Sequence, residues 1–404
     1  MHIDRKQRLD RRLGWVLLLL LKPPARLLGR VLRRQHGSRP EGEIVFVKIV
    51  GGGSLLLAFP ALLGARRTYP DLPMTLVCGR ALVPFAEILG VFDRIEIVED
   101  GGGLIALAWS SIRALGSLVP RRVDAVVDFE VYSVLSTVFS LLTLARNRIG
   151  FYLESTYWRR NVLTHLVFFN RASGVYHFYE AAVRLLGAAV ASASDCREQI
   201  LRRVAGTSVP AEIAGGPFVA VGAGCSEFGS VRMLPSREWR AFIAARRDSL
   251  GSMPWVFLGG EADRGIAGVL ATEIAAELGP SAFKSVNLCG DLSLGDSLGV
   301  ISRARCFLGI DSALLHAARL MRIPSVSFWG PTDPRSRLAL IPGLEEEVHY
   351  RPPVCSPCLH VANEPPCKGN NVCMELFTAN GPREVTWCEN ASGASGSPPA
   401  VPAS

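Results

Sequence analysis

A long hydrophobic run, of the kind a membrane anchor needs, is missing from the amino-terminal region. Leu13-Gly14-Trp15-Val16-Leu17-Leu18-Leu19-Leu20-Leu21 is apolar for nine residues, which rise only ~14 Å as a helix, about half of a bilayer's hydrocarbon core. The run cannot span. No small-residue cleavage site follows it, which argues against a secretory signal even though basic residues precede it. Acidic residues are scarce here too: residues 1–40 contain only Asp4 and Asp10 against many Lys and Arg. Lys22, Pro23 and Pro24 are expected to end the run. Ala25–Arg34 then alternates Leu27, Leu28, Val31 and Leu32 with Arg26, Arg30, Arg33 and Arg34 at helical spacing. That pattern suits a helix lying on anionic lipid, with a plain helix packed on the adjoining domain as the alternative.

Paired cysteine spacing is absent from most of the chain, which excludes a disulfide scaffold. Cys78, Cys196, Cys225, Cys289 and Cys306 are scattered through strand and loop segments, where a reduced cysteine is a small apolar residue. Cys355, Cys358, Cys367 and Cys373 do cluster. Four thiolates can close a tetrahedron, so a structural zinc is one reading of this cluster. Unligated thiols or local disulfides are the other, because the spacing is irregular for a zinc ribbon. Neither reading puts a metal in catalysis, and no cofactor is expected there.

Charge is also sparse. With 20% charged and 49% hydrophobic residues, a chain of 404 residues buries large cores and is long enough for two or three domains. From Glu43 to about Gly150, short Val/Ile/Leu runs (Ile44–Ile49, Met74–Cys78, Arg94–Val98, Ala125–Phe129) alternate with helical stretches. Residues 217–330 repeat the pattern with Phe218–Gly222, Trp255–Leu258, Ser285–Leu288, Cys306–Ile310 and Ser325–Phe328. Such alternation predicts parallel sheets covered on both faces, hence two doubly wound α/β domains with ligands beyond the strands' carboxyl ends. The expected division is 1–40 as a basic, apolar membrane-surface segment, 41–195 as the first domain and 196–216 as the linker. The second domain then covers 217–388, with a Cys-rich end, and 389–404, rich in Ser, Gly, Ala and Pro, is a tail too poor in apolar surface to order itself.

One stretch carries more chemical information than any other. Asp311 and Ser312 follow the apolar run Cys306–Ile310 and offer N-cap chemistry to a helix from Ala313 to Met321. The free N–H groups of that helix would favour an anion such as a diphosphate, by up to ~2 kcal/mol when partly buried. An ordinary strand-to-helix turn would carry the same residues.

Taken with Arg322-Ile323-Pro324-Ser325-Val326-Ser327-Phe328-Trp329-Gly330-Pro331-Thr332-Asp333, this stretch resembles the nucleotide-binding half of the family 9 glycosyltransferases, which include the lipopolysaccharide heptosyltransferases. Further likenesses occur in the family's order: Val47-Lys48-Ile49-Val50-Gly51-Gly52-Gly53-Ser54, then Ala223-Gly224-Cys225-Ser226, Arg232-Met233-Leu234-Pro235 and Trp239. Leu258-Gly259-Gly260-Glu261 and Asn287–Leu294 continue the series, so the likeness spans most of residues 44–376. The resemblance implies the GT-B fold, two Rossmann-like domains facing across a cleft, with the acceptor on the first domain and the nucleotide sugar mainly on the second.

The chain departs from this family where the chemistry would be done. The first glycine loop of heptosyltransferases ends in an aspartate taken to be the base, and Ser54 stands there, beside acceptor-loop residues Gly52 and Gly53. Ala313 stands where relatives carry Gly. Asp128 and Glu130, two apart at the end of a strand, share a face, and are the candidate replacement: one to orient, the other to accept the proton. By the resemblance Arg232 takes the place of a phosphate-facing Lys, with Ser226 beside it. Glu261 is the candidate for ribose hydroxyls, Asp311 for donor hydroxyls, Ser312, Ala313 and Leu314 for phosphate through N–H groups, and His316 for a place behind them. His316 could equally be a helix residue satisfied by a buried carbonyl.

The expectation is an inverting glycosyltransferase that uses a nucleotide diphosphate sugar, by default ADP-heptose, on a lipid-linked or lipopolysaccharide-type glycan acceptor. It would lie in the cytoplasm, peripheral at the inner face of the membrane, with no nucleic-acid partner. A non-catalytic sugar-nucleotide or glycan-binding protein of the same fold is the alternative.

Overall fold

The structure is a computed structural model that describes residues 3–31, 39–207, 210–213, 215–225, 227–246, 250, 253–279, 283–359, 367–368 and 370–376. The tail at 389–404, Cys388 and Ser226 lie outside the described residues.

Strand β1 (Ile44–Lys48) shows why each sheet needs cover on both sides. Ile44 and Phe46 enter one apolar cluster, while Val45 and Val47 enter another on the opposite face, as a period of two demands. Both faces being buried, the strand reads as a continuous apolar run. The first sheet adds β2 (Met74–Gly79), β3 (Arg94–Val98), β4 (Ala125–Asp128), β5 (Asn147–Tyr152) and β6 (His165–Phe168), all parallel, in the order β3-β2-β1-β4-β5-β6. The second contains β7 (Val219–Gly222), β8 (Trp255–Phe257), β9 (Ser285–Asn287), β10 (Cys306–Ile310), β11 (Ser325–Trp329) and β12 (Glu346–Tyr350), in the order β12-β11-β10-β7-β8-β9. Both sheets are thus doubly wound and reverse direction once: between β1 and β4 in the first, between β7 and β10 in the second. Ligands of open α/β sheets gather beyond the carboxyl ends of the strands at such a reversal.

The helices that position the site are α1 (Ile3–Val31), α2 (Gly52–Leu57), α3 (Phe59–Thr68), α4 (Val83–Leu89), α5 (Gly103–Leu118), α6 (Val134–Leu142), α7 (Val175–Arg184) and α8 (Ala193–Val204) in the first half. In the second half they are α9 (Ser236–Ala245), α10 (Arg264–Leu278), α11 (Leu294–Ile301) and α12 (Ala313–Leu320). The stretch expected to begin a linker at residue 196 is instead inside α8. Arg197 Nε donates to the Met321 carbonyl of the second half (3.1 Å), and Gln199 Nε2 to the Leu89 carbonyl of the first (3.3 Å). One apolar cluster runs from Phe46 and Leu62 through Ile200 to Ala220 and Leu315, so the halves are joined by a shared core.

The amino terminus differs from its expectation. Lys22, Pro23 and Pro24 do not end the apolar run; α1 continues through both prolines. A proline frees a carbonyl four residues earlier, here those of Leu19 and Leu20, whose residues are exposed, so water can satisfy them. Lys22 Nζ donates to the Arg160 carbonyl and Arg26 Nη2 to the Asn161 carbonyl (each 3.1 Å), fixing the helix on either side of the proline pair. The helix packs on α6 through Leu18 against Val134, Val138 and Leu141.

Candidate active site

The two sheet reversals each place a charged group in the cleft. At the first, Lys48 is the last residue of β1, and Glu130 follows the end of β4. Glu130 Oε1 accepts from Lys48 Nζ (2.9 Å), Ile49 N (2.8 Å) and Val50 N (3.3 Å), while Oε2 has no such bond among the described residues. Burial works against the charge on Glu130, but Lys48 and these N–H donors outweigh it and hold the carboxyl below its ordinary range. Burial likewise works against the charge on Lys48, yet Glu130 keeps its ammonium above the usual value.

Asp128 does not share this position. The chain leaves the sheet after Asp128, so its side chain turns under α6 while Glu130 folds back over β1. Asp128 is fully enclosed, accepting from Arg159 Nη2 (2.9 Å), Ser136 Oγ (2.8 Å) and Glu130 N (3.0 Å). A carboxylate with those partners and no exposure cannot reach a substrate hydroxyl; its bond to Glu130 N shapes the turn that carries Glu130. Residues 128 and 130 do not share a face because the strand's alternation stops at Asp128, where β4 ends.

At the second reversal, the loop after β7 brings Arg232 to the end of β10. Arg232 Nη1 lies 3.2 Å from Asp311 Oδ2, and His316 Nε2 lies 3.3 Å from Asp311 Oδ1. Burial raises the cost of charging Asp311, but the bond from His316 and the charge of Arg232 hold its carboxyl far below the ordinary range. His316 is held below its ordinary value by burial, against the pull of Asp311. A neutral His316 that donates from Nε2 presents a lone pair on Nδ1. That Nδ1 is buried with no partner among the described residues, as are Ser312 Oγ, Arg232 Nε and, beyond the end of β11, Thr332 Oγ1. Buried polar atoms are seldom left unpaired without a reason.

Ser312 is the N-cap of α12 by backbone geometry, but its hydroxyl makes no cap bond. The expected side-chain cap is therefore absent, and the buried hydroxyl has no hydrogen-bond partner among the described residues. Both Asp311 oxygens are engaged, Oδ2 by the Arg232 guanidinium and Oδ1 by the His316 ring, so Asp311 orients these two side chains.

The glycine loop meets this centre directly. Gly51 has φ +93°, a conformation that glycine adopts without strain, and starts α2. A Cβ on Gly53 would lie 3.2 Å from His316 Cδ2 and 3.6 Å from Ala313 Cα, so the start of α2 faces the start of α12 across the cleft, and Ser54 lies one residue further into α2. Glu261 sits apart from this contact, on the exposed rim beyond β8. Arg264 holds both its carboxylate oxygens (3.1 Å each) and also pairs with Asp291.

Lys48 and Arg159 were missed in the sequence. The signal for Lys48 was available: a lysine closing the apolar run Val45-Phe46-Val47 at a strand's carboxyl end. Arg159 gave none, because it lies outside any apolar pattern.

The four clustered cysteines are free thiols. Burial and the neighbouring thiols push Cys358 upward and Cys373 up to about 11. Among the described residues no three His, Cys, Asp or Glu side chains are arranged to hold a metal ion.

Residues 133–363, more than half of the chain, match Glycosyltransferase family 9 (heptosyltransferase). Among solved structures, a family 9 glycosyl transferase from Veillonella parvula is similar with a TM-score of 0.58 and 17% identity, over 79% of this chain and 88% of that one. The E. coli heptosyltransferase WaaC with ADP gives 0.57 and 17%, over 76% and 92%. The E. coli ADP-heptose lps heptosyltransferase II gives 0.53 and 16%, over 75% and 92%. At these identities the structural likenesses establish the fold, which is the two-domain GT-B arrangement. No curated protein sequence matches the chain closely enough to count as a relative.

Proposed function

The chain belongs to glycosyltransferase family 9, and on that premise we propose that it transfers a sugar from a nucleotide diphosphate sugar to a lipid-linked glycan at the inner face of the cytoplasmic membrane. The observation that carries this reading is the set of buried polar atoms around the start of α12 that have no partner among the described residues: Ser312 Oγ, His316 Nδ1 and Arg232 Nε. A diphosphate with its sugar offers both acceptors for N–H groups and hydroxyls to donate, and so matches that set. Arg232 would hold the diphosphate and stabilise the leaving nucleotide, which removes the need for a metal. ADP-heptose is the donor of choice, since the WaaC structures of the same fold contain ADP and ADP-2-deoxy-2-fluoro heptose.

For inverting transfer a base must take the acceptor's proton, and Ser54 cannot. Among the described residues Glu130 is the remaining cleft carboxylate near the glycine loop, and no hydrogen bond there engages its Oε2. Its lowered pKa keeps it ionised but makes it a weaker base than one poised near neutrality. Glu130→Gln is therefore expected to lower transfer by about 10²–10⁴-fold while donor affinity stays near native. Undiminished turnover in that variant would exclude Glu130 as the base. The Lys48–Glu130 pair also favours a second reading, a sugar-nucleotide-binding protein without transferase activity. That reading gains if donor binds and no acceptor ever reacts.

A further inference from the structure

Helix α5 is apolar on two sides. Its inner side, with Ala114 and Leu118, is buried against the first sheet. Its outer side presents Ile105 (87% exposed), Trp109 (71%) and Ile112 (61%) at helical spacing, with Val119 following one turn beyond the helix's glycine. The segment Gly103–Arg121 is long and apolar enough to cross a bilayer. It does not, because crossing would strip Ala114 and Leu118 from the sheet, so a lipid-facing α5 must lie along a surface.

The same side of the molecule carries α1. Both helices rest on α6, α5 beside it against the sheet and α1 outside it. The exposed side of α1 has Val16, Leu20, Leu27 and Val31 along one stripe, with Arg12, Arg26 and Arg30 also exposed. Near the middle of α1, Trp15 packs against Tyr157 and Trp158 with ring centroids 5.4 and 6.4 Å apart, and Tyr157 is half exposed. Apolar stripes flanked by arginine and bordered by aromatic rings are the composition of a helix seated at a membrane interface. A surface awaiting a second copy of the chain would not require arginines along its margin, whereas anionic lipid attracts them.

We propose that the outer stripes of α1 and α5 form one docking face, seated in the interfacial layer of an anionic bilayer. Ile105, Trp109 and Ile112 enter the acyl boundary, while the α1 arginines meet lipid phosphates. The face deepens the membrane-surface part of the proposed function, and it stands or falls without reference to sugar transfer.

Flotation of the full chain with phosphatidylcholine vesicles, with and without phosphatidylglycerol, tests it in the absence of any sugar nucleotide. The native chain is expected to float with the anionic vesicles, and Ile105→Ser/Trp109→Ser to bind them at least about tenfold more weakly. Val269→Ser, at an exposed apolar position on α10 in the second domain, is expected to bind as the native chain does. Brominated lipid is expected to quench the native emission more than that of Trp109→Phe. Donor-induced thermal stabilisation of the double variant, unchanged from native, separates loss of docking from loss of the donor site. Native-like flotation of the double variant overturns the proposal, as does equal quenching of Trp109→Phe. Sedimentation showing a native dimer that the double substitution dissolves also overturns it, since a second copy then covers the face.

Discussion

Arg232, Asp311 and His316 form a relay in which each group fixes the next: the carboxylate is charged because two donors face it, and the imidazole is neutral because it is buried. That state has a measurable pH dependence. An unfolded histidine titrates near ~6.5, and the folded value is lower, so below ~6.5 the unfolded chain binds a proton that the folded chain does not. Stability from this group is therefore complete above the unfolded pKa and is lost as pH falls through it. His316→Gln is expected to flatten the decline in unfolding free energy between about pH 7.5 and about pH 5.5, measured by denaturant titration. An identical slope in the variant would mean that His316 titrates alike in the folded and unfolded chain, and so is not held neutral by burial. The residue types here were legible in the sequence, but their connections were not. Asp311 pairs with Arg232 and His316, joining a loop after β7 to the end of β10, which no local pattern encodes.

Among the elements, the strands were the most legible, because burial on both faces writes itself as an uninterrupted apolar run. Strands β5, β6 and β12 were missed for the same reason reversed: β5 contains Arg148 and Gly150, β6 lies at a sheet edge with only Val167 buried, and β12 begins Glu346-Glu347 at a sheet edge. Helix α1 was misread at Pro23-Pro24, where sequence rules end a helix and tertiary bonds carry it onward. Its docking depends on a contact far from those prolines. Asp10 accepts from Ser133 Oγ (2.7 Å), Val134 N (2.8 Å) and Leu135 N (3.1 Å), so a residue of α1 helps cap α6. Loss of such a cap costs about 0.5–2 kcal/mol. Asp10→Ala is expected to loosen α1, seen as faster limited proteolysis within residues 3–31 while residues 44–350 stay protected. Unaltered cleavage would show that the apolar contacts of Leu18 hold α1 without the cap.

At the scale of the whole molecule, two doubly wound domains bring their reversals to one cleft, and the starts of α2 and α12 approach to within a side chain of each other. The two-domain plan followed from repeated strand–helix alternation. The shared core through α8 did not, because a linker and a bridging helix have similar composition. On the proposed function, the second reversal binds a nucleotide diphosphate sugar. Calorimetric titration of the native chain and of Arg232→Ala with ADP-heptose, with UDP-, GDP- and dTDP-sugars as comparisons, tests it most directly. Saturable binding of ADP-heptose in preference to the others is expected, weakened by about 1.5–3 kcal/mol in Arg232→Ala, the worth of a charge-assisted hydrogen bond. Absence of binding by any of these nucleotides to the native chain, or equal affinity in the variant, would contradict it.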